Sequence, residues 1–284
     1  GGQIINGAAL DLNGSHSQGA KLSIDGNSGF DVSGNLNIQS GGIFENTVGY
    51  IGREAGSTGV ATVTGSGSQW NNSGQLRVGD SGNGTLNIAA GAVVSNSNGY
   101  LGYENGTEAE VMVSGSGSQW NNTGTLNVGL GGNGTLNIEG GGVVRNGTGY
   151  LGRFSGGTGI ATVRGSGSWW DNDGSLELGS NEGSNGTLNI EDGGLVWNDG
   201  CRLGYSNNSV GNVTVSGIGS FWNTQGSLTV GRGGNATVTV QTGGEVDSYA
   251  GVVGNLVGSN GVVTVSGSSS QDRKSTRLNS SHAN

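Results

Sequence analysis

Short segments with strict alternation of apolar and polar residues recur along the chain. In Thr85-Leu86-Asn87-Ile88 every second residue is apolar, so Leu86 and Ile88 face one side of an extended segment while Thr85 and Asn87 face the other. The segments are only a few residues long and are separated by Gly, Asn and Ser. This pattern predicts short β-strands with one buried face, and we find no stretch with the periodicity of an amphipathic helix.

The strand segments belong to an internal repeat of 50 residues, stretched to 52 once near residue 182. Within it, Gly59 matches Gly84 and Val63 matches Ile88, which gives an elementary period of about 25 residues. The markers of the long repeat are Gly-Tyr-Ile/Leu-Gly at 49–52, 99–102 and 149–152, Gly-Ser-Gln-Trp ending at 70 and 120, and Thr-Leu-Asn-Ile at 85–88, 135–138 and 187–190.

Each 25-residue unit contains three strand signals, as at 61–63, 69–71 and 76–78. One such unit cannot bury its apolar face, whereas stacked units bury a continuous core. The predicted fold is therefore all-β: a right-handed parallel β-helix (β-solenoid) with about 25 residues and three short strands per coil, in a 50-residue double-coil repeat. Gly is expected at positive-φ corners, with Asn as its best substitute. A β-propeller is the structural alternative, but the 25-residue subperiod and the short strands weigh against it.

The amino-acid composition narrows the choice of fold class and of function further. The 284 residues include 64 glycines, no proline and one cysteine. So much glycine disfavours helices, and the lack of proline suits strands that all donate their N–H groups to neighbours. The net charge of −9 gives no electrostatic support for nucleic-acid binding. No apolar run is long enough for a membrane-spanning helix. Cys201 has no internal disulfide partner and is expected to be a small apolar filler.

The predicted domain is a single β-solenoid over residues 1–271, with the repeats at about 30–271. Residues 265–271 match 113–119, but Asp272 stands where tryptophan is expected. Residues 272–284 resemble a translated sequencing adapter and are predicted to be an artefact outside the fold. A divergent basic tail is the alternative. Because the chain starts without Met or a signal peptide, we expect it to be a fragment of a longer protein.

Candidate catalytic groups are few, and we predict no enzymatic activity, no cofactor and no metal site. His16 lies in a Gly/Ser turn, where a solvated loop residue is expected. The closest carboxylate pairs are 171 with 173 and 191 with 192, and their counterparts in other repeats are mainly small residues, so we place them at solvent-facing turns. A calcium coil would need Asp at position 136 after the glycines at 131–134, but Leu136 stands there.

Four tryptophans recur in every second coil, so stacking places them in one row about 9.6 Å apart. An exposed row would bind sugar rings, whereas a buried row would pack a corner of the solenoid. Val94 and Val144 occupy the matching position in the intervening coils, which favours burial, and both interpretations stay open. Trp169 and Trp197 break the pattern and are expected to be exposed. The row consists of Trp70, Trp120, Trp170 and Trp222.

The markers Thr-Val-x-Gly-Ser-Gly-Ser-Gln-Trp, Gly-Thr-Leu-Asn-Ile and Gly-Tyr-Leu-Gly resemble the repeat of autotransporter passenger domains of Gram-negative bacteria and of related surface proteins with a C-terminal sorting signal. The resemblance covers about residues 30–271. It implies an extracellular or outer-membrane-surface location, a signal peptide before this segment, and a translocator barrel or an anchor after it. Which export route applies stays open.

The resemblance also implies a non-enzymatic passenger or stalk for adhesion or cell-surface structure, with surface glycans or proteins of a host or the environment as partners. Two alternatives remain. One is the scaffold part of a carbohydrate-active β-helix enzyme, and the other is a glycan-binding module that uses the tryptophan row.

Overall fold

The computed structural model describes residues 3–4, 9–13 and 21–274. Within these residues every strand pairing is parallel, and the strands form one 11-stranded and one 18-stranded sheet. No described residue is helical, so none belongs to a helix that crosses a membrane. The described chain is thus a β-solenoid, as the repeat predicts.

The first face of each coil is the 11-stranded sheet. Its strands alternate buried and outward residues: Leu86 and Ile88 are fully buried, and Thr85 and Asn87 point outward. These strands are Ala9–Asn13, Asn35–Gln39, Thr58–Thr64, Asn83–Ala89, Glu108–Ser114, Asn133–Glu139, Thr158–Arg164, Asn185–Glu191, Val210–Ser216, Asn235–Gln241 and Asn260–Ser266.

The second and third faces are joined into the 18-stranded sheet because four long strands run through both. The long strands are Lys21–Val32, Ile43–Ile51, Phe221–Val230 and Glu245–Val253. The second face also contains Gln69–Asn72, Val93–Asn96, Gln119–Asn122, Val143–Asn146, Trp169–Asn172, Leu195–Asn198 and Gln271–Lys274. The third face also contains Gln3–Ile4, Leu76–Val78, Gly99–Leu101, Leu126–Val128, Gly149–Leu151, Ser175–Leu178 and Gly200–Leu203.

Equivalent residues of successive coils pair with each other. Thr85 pairs with Glu110, and Glu110 pairs with Thr135, which confirms the 25-residue coil with three short strands. The core is therefore built of columns of like residues, one per coil. Pairing also extends before residue 30, because Gln3–Ile4 pairs with the strand that ends at Val32.

Glycine at a corner is needed both for the positive φ and because a side chain would clash with a neighbouring coil. Gly52 has φ of 71°, and a Cβ there would overlap the backbone oxygen of Asn83 in a neighbouring coil. The expectation that Asn replaces Gly at such corners is wrong for most of the non-glycine positions. These turns face solvent, and the modest strain of a left-handed residue is tolerated for several side chains. The non-glycine residues with positive φ are Ser40, Ala90, Asp192, Asn208, Thr242 and Ser269.

The serine of the Gly-Ser-Gln-Trp marker fixes the turn between the first and second faces. Ser68 is fully buried. Its hydroxyl donates a hydrogen bond to the Thr64 carbonyl (2.7 Å) and accepts one from the Gly41 N–H of the preceding coil (3.0 Å). The marker is thus part of the scaffold, and the same pair of bonds recurs at Ser118, Ser168, Ser220 and Ser270.

The second-face strand Gln271–Lys274 continues past the predicted domain boundary at 271 and pairs with Glu245–Ser248. Asp272 stands opposite Val246, at the position of the tryptophan row. Residues 275–284 lie outside the described residues, so the adapter interpretation stays a prediction.

Candidate functional site

The predicted tryptophan row exists, and it is buried. Each of its four indoles has 0% exposed surface, and Trp70 and Trp120 pair with Val94 from either side, as the repeat predicts. A sugar ring stacks on an exposed aromatic face, and these indoles have none. The ligand-binding role for Trp70, Trp120, Trp170 and Trp222 therefore lacks the surface it needs.

Buried asparagines complete the tryptophan row. The Trp70 Nε1–H donates to Asn46 Oδ1 at 2.7 Å, and the Asn46 amide donates to Asn72 Oδ1 at 2.8 Å. This arrangement satisfies a buried indole N–H, which would otherwise lose its hydrogen bond to water. The same tryptophan–asparagine bond recurs from Trp120 to Asn96, Trp170 to Asn146 and Trp222 to Asn198.

This buried corner explains the first glycine of the Gly-Tyr-Leu-Gly marker. A Cβ on Gly99 would lie 2.5 Å from Asn122 Oδ1, 2.8 Å from Leu126 Cδ1 and 2.9 Å from Trp120 Cζ2. In the fourth repeat the asparagine position holds the smaller Thr224, and the glycine position holds Cys201.

Cys201 is confirmed as an apolar filler by its surroundings. It is 1% exposed, and burial raises the pKa of its thiol. A buried thiol with a raised pKa is a weak nucleophile. The diverged marker thus reflects packing in this coil.

One member of each carboxylate pair lies in a solvent-facing turn, as expected for Asp173 and Asp192, whereas the other member lies within a strand. Asp171 lies within the second-face strand Trp169–Asn172, and its Oδ2 is 4.0 Å from Arg145 Nε. Burial and the neighbouring charge of Asp173 raise the pKa of Asp171, while Arg145 acts to lower it. Glu191 ends a first-face strand, and Asp192 lies in the following turn, where it forms an exposed ion pair with Arg164.

A stripe of tyrosine and arginine side chains runs along the third face and the turns that follow its strands. The Arg77 guanidinium lies 3.8 Å from the Tyr103 ring centre and 5.8 Å from that of Tyr100, and the two rings meet edge to face. Such contacts hold charged and aromatic groups in place at the surface. The tyrosine–arginine stripe comprises Tyr50, Arg53, Arg77, Tyr100, Tyr103, Tyr150, Arg153, Phe154, Arg202, Tyr205 and Arg232.

Arg77 is the best anchored member of the stripe. Burial acts to lower the pKa of Arg77, but the hydrogen bond and charge of Asp80 outweigh it, so the pKa lies above its ordinary value. The Arg77 Nη1 to Asp80 Oδ1 distance is 2.7 Å. Phe154 is an exposed member of the stripe, with 48% of its surface accessible.

An outward-facing aromatic cluster lies on the second face. Trp169 and Trp197 come from adjacent coils, and their ring centres are 5.7 Å apart at an interplanar angle of 71°. Trp197 is 37% exposed, as predicted, whereas Trp169, which was also expected to be exposed, is partly buried. Leu195 and then Phe221 occupy the positions paired with Trp169 in the two following coils. We call Trp169, Leu195, Trp197 and Phe221 the aromatic platform.

Trp169 is held on its other side by a cation. The Arg145 guanidinium carbon lies 5.2 Å from the Trp169 ring centre. Unlike the indoles of the buried row, Trp169 has a buried Nε1–H without a hydrogen-bond partner. Arg145 and Asp171 thus form a polar border beside the platform, on the same sheet face.

The remaining sequence candidates fall elsewhere. His16 lies outside the described residues. Leu136, at the position where a calcium coil needs Asp, is fully buried in the core. Within the described ranges, no three His, Cys, Asp or Glu side chains come together as metal ligands. Sequence reasoning missed the aromatic platform, and the only signal for it was that Trp169 and Trp197 depart from the repeat.

Comparison with known proteins adds one structural neighbour. No family model and no curated protein sequence matches the chain. Among solved structures, it is similar to a fragment of TibA hyperglycosylated by TibC, with 18% sequence identity, a TM-score of 0.35, and coverage of 96% of this chain and 98% of that one. A similarity at this TM-score carries no conclusion about this chain.

Proposed function

We propose that the chain is a non-enzymatic β-helical stalk, displayed on a bacterial surface or secreted, that contributes an adhesive surface. The observation that carries the proposal is that each coil has separate sets of residues for its core and for its outward aromatic surfaces. The repeated marker residues are used by the scaffold itself, as Ser68 and Gly99 show. Of the two outward aromatic surfaces, the platform is formed by residues that vary between coils, whereas the stripe combines the marker tyrosines Tyr50, Tyr100 and Tyr150 with residues that vary.

The scaffold suits an extended, load-bearing element. Each coil contacts mainly its neighbours through parallel ladders, so length grows by adding coils without changing the core. Folding can propagate from coil to coil, and no disulfide is needed, since the one cysteine is buried and free. These properties are compatible with export as an unfolded chain followed by folding outside the cell.

The two outward surfaces suit recognition. Both combine aromatic rings with arginine and carboxylate groups on the stacked strands and the short turns between them, so little order has to be gained on binding. The stripe and the platform lie on different faces of the coil, and each spans more than one coil.

An adhesion assay tests this function. The full chain coupled to beads is expected to make the beads adhere to an epithelial cell layer or to a polysaccharide-coated surface, and beads carrying albumin or the heat-unfolded chain provide the control. Equal adhesion of all three bead types contradicts the proposal. In a parallel assay, release of reducing ends from acidic or plant polysaccharides by the purified chain would contradict the non-enzymatic assignment and favour the enzyme alternative.

A further inference from the structure

We propose that the aromatic platform and its polar border bind a neutral sugar ring, with Trp197 as the stacking surface. This proposal rests on the proposed adhesive function and names a ligand class for it. The sugar-binding role is assigned to Trp169 and Trp197, which do not belong to the repeat, instead of to the buried tryptophan row.

The geometry of the two indoles provides a corner for a ring. Trp169 and Trp197 meet at 71°, so one ring stands against the side of the other and together they form two walls. Trp197 is the more exposed of the pair, with 37% of its surface accessible. The apolar C–H face of a pyranose fits an exposed indole face, and the second wall limits how the sugar sits.

Hydrogen-bonding groups lie in the same column as Trp197. Trp197 pairs with Asp171 in the preceding coil, and Asp171 pairs with Arg145 one coil before that. The column therefore presents a donor, an acceptor and an aromatic ring in sequence, about 4.8 Å apart. The Arg145 and Asp171 side chains remain 42% and 21% exposed, so both retain capacity for a ligand.

The charges favour a neutral ligand. A cationic ligand would use the π face of Trp169, but the protein's own Arg145 already lies there at 5.2 Å, and its charge repels a second cation. An acidic sugar would lie beside Asp171 and Asp173; burial and then the charge of Asp173 already raise the pKa of Asp171, so a further negative charge there is disfavoured. A neutral hexose or N-acetylhexosamine avoids both penalties.

The scaffold does not require tryptophan at either position. Gln69 and Gln119 stand at the positions equivalent to Trp169, and Ser95 stands at a position equivalent to Trp197. Those coils have the same strands and pairings. The platform is thus an addition to the coil, and the substitutions Trp169→Gln and Trp197→Ser remove it with residues that the fold already accepts.

The test is titration calorimetry of the full chain with cellohexaose, chitohexaose and mannohexaose, which represent polysaccharide sources. Immobilised asialofetuin, before and after enzymatic deglycosylation, represents a glycoprotein source. We expect at least one probe to bind, and the double variant W169Q/W197S to bind it at least about tenfold more weakly, as for loss of a central aromatic anchor. Ile160→Thr is the control, because it removes an exposed apolar side chain from the first face, away from both aromatic surfaces, and its column neighbours Thr135 and Thr187 already carry threonine; its binding is expected to equal that of the wild type.

The proposal fails if no probe binds, or if a folded W169Q/W197S variant binds as well as the wild type. It also fails if tetramethylammonium displaces the bound sugar, because that would indicate a cation site. Circular dichroism checks the fold, and the single variant W197S serves if the double variant is unstable. If beads carrying W169Q/W197S adhere as well as wild-type beads, the platform proposal fails while the adhesive function stands. If wild-type beads do not adhere but the chain binds sugar, the adhesive function fails alone.

Discussion

Trp169 and Trp170 are neighbours on one strand, and they have opposite environments. Trp170 is fully buried, and its indole N–H donates to Asn146 at 2.7 Å. Trp169 faces outward between Arg145 and Trp197, and its N–H has no partner. Because side chains alternate across a strand, one residue step separates a core position from a surface position.

The difference teaches where to look for function in a repeat protein. The buried tryptophan recurs every second coil because the corner has to be filled in every repeat. The outward pair occurs once, and the scaffold has other residues at the equivalent positions. On this face of the coil, the tryptophan that recurs in every repeat therefore serves folding, whereas the tryptophans that occur once face outward and are the ones we assign to recognition.

The largest expected effect is a difference in stability between a variant of Trp170 and a variant of Trp169. Trp170→Ala is expected to lower the free energy of unfolding by about 3–5 kcal/mol, because it opens a cavity and leaves Asn146 without its donor. Trp169→Gln is expected to change it by less than about 0.5 kcal/mol. Urea denaturation followed by circular dichroism measures both variants. Similar losses for the two variants would contradict the division into a core tryptophan and a surface tryptophan.

A smaller loss of stability is expected when the packing around the buried tryptophan row is changed. Gly99→Cys is expected to lose about 1–3 kcal/mol, since a Cβ at 99 overlaps Asn122 Oδ1. Asn122→Thr alone is expected to lose about 1 kcal/mol, because Asn96 loses its acceptor.

The double variant reproduces the natural combination of Cys201 and Thr224. We expect its loss to be smaller than the sum of the single losses by about 1 kcal/mol, measured as a double-mutant cycle in urea. Strict additivity would show that the amide of Asn122 is not the reason for glycine at position 99.

The smallest effect concerns the polar border of the platform. Burial and Asp173 raise the pKa of Asp171 above its ordinary value, so folding favours the neutral carboxyl, and the charged form destabilises the folded state at neutral pH. Asp171→Asn, which restores the residue found at 71 and 121, is expected to raise Tm at pH 7. The gain should shrink as the pH falls through the raised pKa toward the ordinary carboxyl range.

Thermal unfolding at pH 7 and pH 3 measures this difference. Trp169→Gln serves as the control, because it changes no titrating group and its offset from the wild type should be similar at both pH values. A Tm gain for Asp171→Asn that is equal at the two pH values, or larger at pH 3, would show that the Asp171 charge is not destabilising.

The sequence was sufficient for the coil and for most of its core. Alternation places Leu86 and Ile88 inside, and a fixed period aligns them between coils, so fold and core follow from local pattern plus repetition. Burial of the tryptophan row was favoured for the same reason, since Val94 and Val144 share its column.

The polar contacts were harder to predict. Asn72 lies two residues after Trp70, so alternation alone places it inside, but the choice of Asn46 as the acceptor for Trp70 depends on how two coils stack in three dimensions. The platform was harder still. Trp169 and Trp197 are 28 residues apart, so they are not equivalent in the repeat, and their contact arises diagonally between two columns.

Acrylamide quenching of tryptophan fluorescence distinguishes buried from outward indoles in the intact fold, and so decides whether the recurring tryptophans belong to the core. We predict that the full chain shows a quenchable fraction, and that W169Q/W197S shows blue-shifted emission with almost no quenching, since only the buried row remains. Strong quenching of the folded double variant would place the row of Trp70, Trp120, Trp170 and Trp222 at the surface and contradict its role in the core.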